Sequence, residues 1–179
     1  KKTIDKIGDT VTLAWGHIFG TLALLIIVLF QYFGTDQSIN IPNGINTWLL
    51  LILFGALQAV VYLLLYKGFG QGQVGILSPV FASFSGITAL LSIVFFGETV
   101  TGPLLAGLAI LFLGIILVSV DLSALRSRDF SFSHIPGFKV VAISTLLAAF
   151  WTLFWDTFLG GGDWLMYTFL MYTFMTVFI

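Results

Sequence analysis

The chain has 179 residues, of which 59% are hydrophobic and only 8% are charged, and its mean hydropathy is +1.09. A soluble domain carries about 25% charged residues, so this composition excludes a water-soluble fold and indicates an integral membrane protein. The net charge of −1 and the lack of a basic patch speak against a nucleic-acid partner. Because these residues include no cysteine, they offer no disulfide or zinc–thiolate chemistry, and no cofactor or metal is expected.

Apolar runs of helical length alternate with short polar segments along the chain. About 20 apolar residues cross a hydrocarbon core of roughly 30 Å, so each run predicts one transmembrane helix. The predicted helices cover about 10–33, 46–66, 74–96, 102–120 and 137–159, and a sixth begins at 164. The runs are too long and too uniformly apolar for barrel strands, so the predicted fold class is an all-α polytopic transmembrane helix bundle.

The third and fourth predicted helices are separated by only a handful of residues, which predicts an antiparallel hairpin with Gly97-Glu98 at its turn. An early proline, a closing Gly-Glu pair and two glycines seven residues apart resemble the drug/metabolite transporter superfamily, and within it the EamA-type carriers. The matching residues are Ser78, Pro79, Gly97, Glu98, Gly107 and Gly114. Where many of these carriers have a second proline, this chain has Ser85. The resemblance implies five-plus-five helices and export of amino acids or related metabolites.

A short sequence pair that occurs twice, a weak sign of an internal repeat, suggests how the chain is divided. Gly8-Asp9 precedes the first predicted helix, and Gly162-Asp163 precedes the last. If these pairs correspond, each repeat has five helices and the second repeat is inverted relative to the first. We therefore expect residues 1–120 to be a first repeat without its first helix, 121–136 an inter-repeat loop, and 137–179 the start of a second repeat, in a fragment of a longer carrier.

The charges test this layout, because successive loops must alternate between the two sides of the membrane. All seven lysines and arginines then fall on one side: Lys1, Lys2, Lys6, Lys67, Arg126, Arg128 and Lys139. The other side receives Asp36, Glu98 and Asp163. The positive-inside rule predicts that the loops with Lys1–Lys6, Lys67 and Arg126–Arg128 are cytoplasmic, in the plasma (inner) membrane. The resemblance implies the opposite side for the first of these loops, so the two expectations conflict.

Gln58 lies near the middle of the second predicted helix, on one face with Gly55, Tyr62 and Tyr66. An amide buried in lipid without partners costs several kcal/mol, so Gln58 must face protein or a wet cavity. Two interpretations stay open. Gln58 and Tyr62 contact a substrate, or Gln58 makes a hydrogen bond between helices.

The third predicted helix carries a stripe of hydroxyl residues. Ser78, Ser85 and Ser92 recur every seven residues, with Thr88 beside them. Ser78, Ser85 and Thr88 are predicted to bind substrate along a pathway, and the alternative is that small residues let helices approach closely. Gly107 and Gly114 are assigned to helix packing.

Aromatic and ionisable residues supply the remaining candidates. Trp151 and Trp155, four residues apart, are candidate walls of a cavity for an apolar or cationic solute. Asp156 and His17 are candidate proton or cation sites. The alternatives are an interfacial position for Asp156 and a structural hydrogen bond for His17.

Together these features predict a carrier that moves neutral or zwitterionic metabolites, with export favoured, by alternating access between two inverted repeats. No P-loop is present in the sequence, which disfavours ATP-driven transport. The alternatives are a non-transporting membrane scaffold and a membrane-embedded enzyme subunit, although no enzyme activity is expected. The expected partners are a small-molecule solute and membrane lipid, and a homodimer is a further option. Transport predicts that Gln58, the serine stripe and Trp151 converge on one cavity, whereas a scaffold predicts that they pack apart.

Overall fold

The computed structural model describes residues 2–35, 40–119, 135–160 and 162–179. Within these ranges the chain forms eight helices and no strand. They are α1 Lys2–Ile7, α2 Asp9–Gly34, α3 Ile45–Gln71, α4 Val74–Ala82, α5 Phe84–Phe96, α6 Gly102–Ser119, α7 Phe138–Leu159 and α8 Trp164–Phe178. Lys1, Asp36, Arg126, Arg128 and most of the expected inter-repeat loop lie outside the described residues.

Apolar rods of membrane-crossing length dominate the described fold. α2, α3, α7 and the continuous span Val74–Phe96, which contains α4 and α5, are long and apolar enough to cross a membrane. α6 and α8 are shorter apolar helices. The predicted all-α polytopic bundle is therefore confirmed, and the short helix α1 is an element that the hydropathy pattern did not predict.

α3 occupies the centre of the bundle, where it packs along α7 and α8 and against α2. It continues past Tyr66, where the apolar run ends, to Gln71. Gly68 allows this extension to lie against α7, since a Cβ added there would contact Val141 and come within 3.2 Å of the Gly137 carbonyl oxygen. The helix thus runs through a residue of low helical propensity because a close contact with α7 holds it.

The third membrane rod is broken at Ser83 into α4 and α5. Pro79, inside α4, has no N–H to donate to the preceding turn. One turn later the Ser83 N–H donates to the carbonyl oxygens of both Pro79 and Val80 at 3.2 Å, and its hydroxyl donates to Val80 at 2.6 Å. The change of hydrogen-bonding pattern therefore occurs without a second proline.

The predicted hairpin turn begins at Gly97, which ends α5 with φ 65° and ψ 30°. This left-handed conformation favours glycine, and the Gly97 N–H donates to the Ile93 carbonyl at 3.1 Å. The chain then returns as α6, which packs mainly against α4.

The glycines that pack in this hairpin are not the predicted ones. A Cβ added at Gly107 or Gly114 would meet no described atom within 4 Å, so both glycines face open space. At Gly86 on α5 an added Cβ would lie 3.0 Å from Phe112 and 3.1 Å from Leu111 of α6. Within the described residues, the assignment of Gly107 and Gly114 to helix packing is wrong, because packing depends on which face of α6 meets its neighbour.

Three helix ends meet at one end of the bundle. The position of a Cβ at Gly70, near the end of α3, is 3.8 Å from Asp9 Oδ2 at the start of α2. Gly72, just after α3, lies against the Pro136 carbonyl oxygen, just before α7. We call this the lysine end, since Lys2, Lys6, Lys67 and Lys139 belong to the segments that meet there.

The opposite end joins the connection before α3 to the connection before α8. The backbone N–H of Asn40 donates to Asp163 Oδ2 at 3.3 Å, while Asp163 Oδ1 caps α8 by accepting from the Leu165 and Met166 N–H groups. Asp163 therefore lies at the end away from the described lysines, as the alternation of loops predicts.

Gly55 lies where α3 crosses α8, and it generates a prediction about stability. A Cβ there would be 2.7 Å from Phe174 Cβ and 3.1 Å from the Met171 carbonyl oxygen. A methyl group at this position would force the backbone of α8 to shift. Gly55→Ala is therefore expected to lower the free energy of unfolding by about 1–3 kcal/mol. Gly107→Ala, in open space on α6, is the matched control and is expected to be neutral or stabilising by about 0.5–1 kcal/mol. Unfolding in detergent micelles measures both, and equal effects would contradict the close α3–α8 contact.

Candidate functional site

Side chains from three helices meet around His17 in the interior of the bundle. His17 of α2 is 8% exposed. The Tyr62 ring of α3 meets the imidazole edge-on with 5.2 Å between ring centroids, and the Tyr172 ring of α8 lies 5.6 Å away. Gln58, which is 9% exposed, precedes Tyr62 by one turn on the same face of α3. We call these four residues the His17 cluster.

Two polar atoms of the His17 cluster are buried without a partner. His17 Nδ1 and Gln58 Oε1 have no hydrogen-bond partner among the described residues. An unsatisfied buried polar group costs about 1–3 kcal/mol, so their presence on two packed helices is not explained by stability. Gln58 Oε1 accepts a hydrogen bond, and His17 Nδ1 donates or accepts according to its tautomer. Within the described residues, the cluster therefore presents two unsatisfied hydrogen-bonding atoms beside two tyrosine rings.

Trp151 and Trp155 occupy a different place, between α7 and α3. Their rings stack at 5.4 Å with an interplanar angle of 15°, and Trp151 Nε1 donates to the Phe54 carbonyl oxygen at 2.9 Å. Trp151 lines an apolar cavity of about 280 Å³, which we call the α3–α7 groove. The lining residues are Phe54, Leu57, Val60, Val61, Leu147, Phe150, Trp151 and Phe154. Because the indole N–H is already bonded, the groove offers apolar contact.

The hydroxyl stripe lies along the broken rod of α4 and α5. Ser78 and Ser85 are exposed, and the Ser85 hydroxyl of α5 donates to the carbonyl of Ala82, the last residue of α4, at 3.1 Å. Thr88 donates to Phe84 at 2.9 Å, with Ala149 of α7 as a second acceptor at 3.2 Å. Thr88 therefore joins two helices, while Ser85 donates to the preceding turn of the same broken rod.

The structure thus distributes the predicted site residues over several places. Gln58, Tyr62 and His17 share the His17 cluster. Trp151 lines the α3–α7 groove, whereas Trp155 does not line it and is buried in the core against Leu51, Phe54 and Met171. Ser78, Ser85 and Thr88 are on the α4–α5 rod. Asp156 is exposed near the end of α7. The described residues do not bring all of these side chains into one cavity.

Tyr172 is a member of the cluster that the sequence did not reveal. It lies in an apolar run without charged residues, so nothing distinguished it from lipid-facing aromatics. A signal was nevertheless available, because Tyr172 and Thr176 are four residues apart and share a face of α8. On that face Thr176 Oγ1 and Thr21 Oγ1 of α2 are 2.9 Å apart, so the two helices are joined beside the cluster.

Two buried hydroxyl residues of α7 donate hydrogen bonds to backbone carbonyls. Ser144 of α7 donates to the Val61 carbonyl of α3 at 2.7 Å. Thr145 donates to Val141 at 2.8 Å and approaches the Val80 carbonyl of α4 at 3.4 Å. The described residues contain no group of three or more side chains able to hold a metal ion.

An all-helical bundle of membrane-crossing rods with buried polar groups defines an integral, multi-pass membrane protein. Residues 1–120, which span α1 to α6, match the EamA-like transporter family, and the chain belongs to that family. It is also 34% identical over 103 residues to Uncharacterized protein MJ1333.1 of Methanocaldococcus jannaschii. That match covers 56% of this chain and 69% of the relative. No solved structure matches the chain.

Gln58 Oε1, which has no hydrogen-bond partner among the described residues, leads to a prediction about stability. Gln58→Leu is expected to raise the free energy of unfolding by about 1–3 kcal/mol, because it removes a buried acceptor that has no described partner. Ser144→Ala is the matched contrast, since it deletes a made hydrogen bond and should lower that free energy by about 0.5–1.5 kcal/mol. Unfolding of the purified protein in detergent, without added solute, tests both. A loss of stability in Gln58→Leu would show that the amide is a structural hydrogen-bonding group.

Proposed function

We propose that the protein is a carrier for small neutral or zwitterionic metabolites and that the His17 cluster is part of its solute site. The observation that carries this proposal is a pair of buried atoms on two adjacent membrane rods, His17 Nδ1 and Gln58 Oε1, which have no hydrogen-bond partner in the described part of the chain. Membership of a transporter family supports a transport role for them. In that role Gln58 accepts a hydrogen bond from the solute, and Tyr62 and Tyr172 present their rings to it.

The charge of the solute follows from the polar groups that the bundle buries. The buried polar side chains of the described residues are His17, Gln58, Ser92, Ser144 and Thr145. None of these carries a fixed charge, so the described interior has no counter-ion for a strongly charged solute. A neutral or zwitterionic solute therefore fits this interior better than a strongly charged one.

Movement of the solute would use alternating access, in which two inverted repeats rock around the site. We place the lysine end in the cytoplasm, in the plasma (inner) membrane, and we favour export because the family resemblance implies it. In this arrangement α7 and α8 belong to the second repeat, so the His17 cluster, with residues from α2, α3 and α8, lies at the repeat interface.

A specific observation favours a second candidate function, that of a non-transporting membrane scaffold. The tryptophan pair, the hydroxyl stripe and the His17 cluster lie in different places within the described residues, as a scaffold predicts. The two functions differ in whether loss of Gln58 affects solute flux.

Efflux from cells expressing the complete protein tests the proposed carrier. Cells are loaded with a mixture of labelled neutral and zwitterionic amino acids, and efflux is followed for wild type and variants at matched membrane expression. Gln58→Leu is expected to reduce efflux of the transported solute about tenfold, the factor for about 1.4 kcal/mol of lost interaction. Gln71→Leu, at the exposed end of the same helix, is expected to leave efflux unchanged. If no solute shows wild-type efflux above that of empty cells, the scaffold is favoured, and equal efflux in Gln58→Leu removes Gln58 from the site.

The proposed orientation is tested by labelling single cysteines, since the 179 residues contain none. Lys67→Cys and Lys139→Cys at the lysine end should react with a membrane-impermeant maleimide only after cells are opened. Glu98→Cys and Asp163→Cys should react in intact cells, because α5 and α7 leave the membrane at the opposite end. The reverse pattern would support the orientation implied by the family resemblance.

A further inference from the structure

We infer that the bundle carries a lipid site on the outer side of α3, shaped for a phospholipid whose headgroup holds both a phosphate and a primary ammonium. The inference goes beyond transport, because it concerns a surface that does not include the His17 cluster. It rests on two neighbouring cavities that share one residue and have different chemistry.

The first cavity is the α3–α7 groove. Its lining is apolar throughout, and several lining side chains are exposed at its edge, including Leu57 at 45%, Val60 at 47% and Phe154 at 55%. All lie on rods of membrane-crossing length, so the exposed side meets hydrocarbon. An acyl chain is the apolar occupant that this environment supplies.

The second cavity, also about 280 Å³, lies between the start of α2 and the last turns of α3. It is lined by Asp9, Thr10, Val60, Leu63, Leu64 and Lys67. We call it the head pocket, since it holds one carboxylate and one ammonium at the lysine end of the bundle. Val60 lines both cavities, so the head pocket adjoins the α3–α7 groove.

The spacing along α3 places lining residues of both cavities on the same side of the helix. Leu57, Val60, Leu64 and Lys67 follow one another at intervals of three or four residues, which is a single face of a helix. Ten residues from Lys67 to Leu57 cover about 15 Å, which is half of a hydrocarbon core of roughly 30 Å. A lipid with its head at Lys67 would therefore lay its chain along this face toward the middle of the membrane.

The charges in the head pocket select the headgroup. Lys67 can bind the phosphate, while Asp9 can accept hydrogen bonds from a primary ammonium. Asp9 disfavours a purely anionic head, and a choline head has no N–H to donate. Ethanolamine phospholipid matches both charges and the apolar groove.

Fluorescence quenching tests this site, because Trp151 lines the groove. The protein is placed in nanodiscs that contain a small fraction of ethanolamine, choline or glycerol phospholipid, each brominated near the methyl end of one chain. Trp151→Phe identifies the part of the quenching that comes from Trp151. We expect that part to report about fivefold stronger binding of the ethanolamine lipid, the factor for one charge contact of about 1 kcal/mol at a membrane surface.

Variants then test the assigned contacts. Asp9→Asn and Lys67→Gln should each abolish the preference, while Asp9→Glu and Lys67→Arg should keep it. Lys139→Gln, an exposed lysine at the same end that does not line the pocket, is the matched control. Val60→Phe should block the groove, whereas Val94→Phe, on the 77% exposed Val94 of α5, should not.

Several results would overturn the inference. Equal quenching by the three lipids would mean ordinary boundary lipid, and stronger quenching by the glycerol lipid would assign the pocket to anionic lipid. No Trp151-dependent quenching by any lipid would mean that protein, such as a second copy, covers the groove. If both Asp9→Asn and Lys67→Gln keep the lipid preference, the head pocket does not bind the headgroup. None of these results bears on solute efflux, so the proposed carrier stands or falls separately.

Discussion

Close approach of backbones at α3 is the constraint on which the rest of the bundle depends. Lipid supplies no hydrophobic force to press one apolar helix against another, so association relies on packing and on hydrogen bonds between helices. Gly55 lets α8 approach α3, and Gly68 does the same for α7. On the same helix, the carbonyls of Phe54, beside Gly55, and Val61, between the two glycines, accept hydrogen bonds from α7. The hydrogen bonds fix the rotation of α7, and the α8 contact brings Tyr172 to the His17 cluster.

The membrane-crossing rods and the hairpin at Gly97 followed from sequence, because each depends on local properties. Hydropathy and length decide whether a helix can cross the membrane. A short connection containing a glycine means that the next helix must run antiparallel to the one before it. The sequence did not predict three other features: the extension of α3 to Gln71, the break at Ser83 and the packing role of Gly86. Each depends on which surface of a neighbouring helix is present, and the spacing of glycines in one helix carries no information about its neighbour.

The residues of the candidate site also fall into those that the sequence predicted and those that it did not. Gln58 and His17 stood out because a polar side chain in the middle of an apolar run is costly wherever it points. The hydroxyl residues were harder to interpret, since serine and threonine can donate to carbonyls of their own helix and so avoid that cost. Ser85 donates to the preceding turn of the same broken rod, at the end of α4, whereas Thr88 donates within α5 and also reaches α7. Tyr172 was missed because a tyrosine in an apolar run is ordinary until a histidine from another helix is known to contact it.

The position of each residue on α3 also explains how one helix contributes side chains both to the His17 cluster and to the outer side of the bundle. Successive residues are about 100° apart around a helix, so Gln58 and Val60 point in directions about 200° apart. Gln58 therefore lies in the interior with Tyr62 one turn further on, while Val60 lies on the outer side at the meeting point of the groove and the head pocket. An occupant of one surface does not compete sterically with an occupant of the other. Any coupling between them must pass through movement of α3 itself, and the glycine contacts at Gly55 and Gly68 make such movement inseparable from that of α8 and α7.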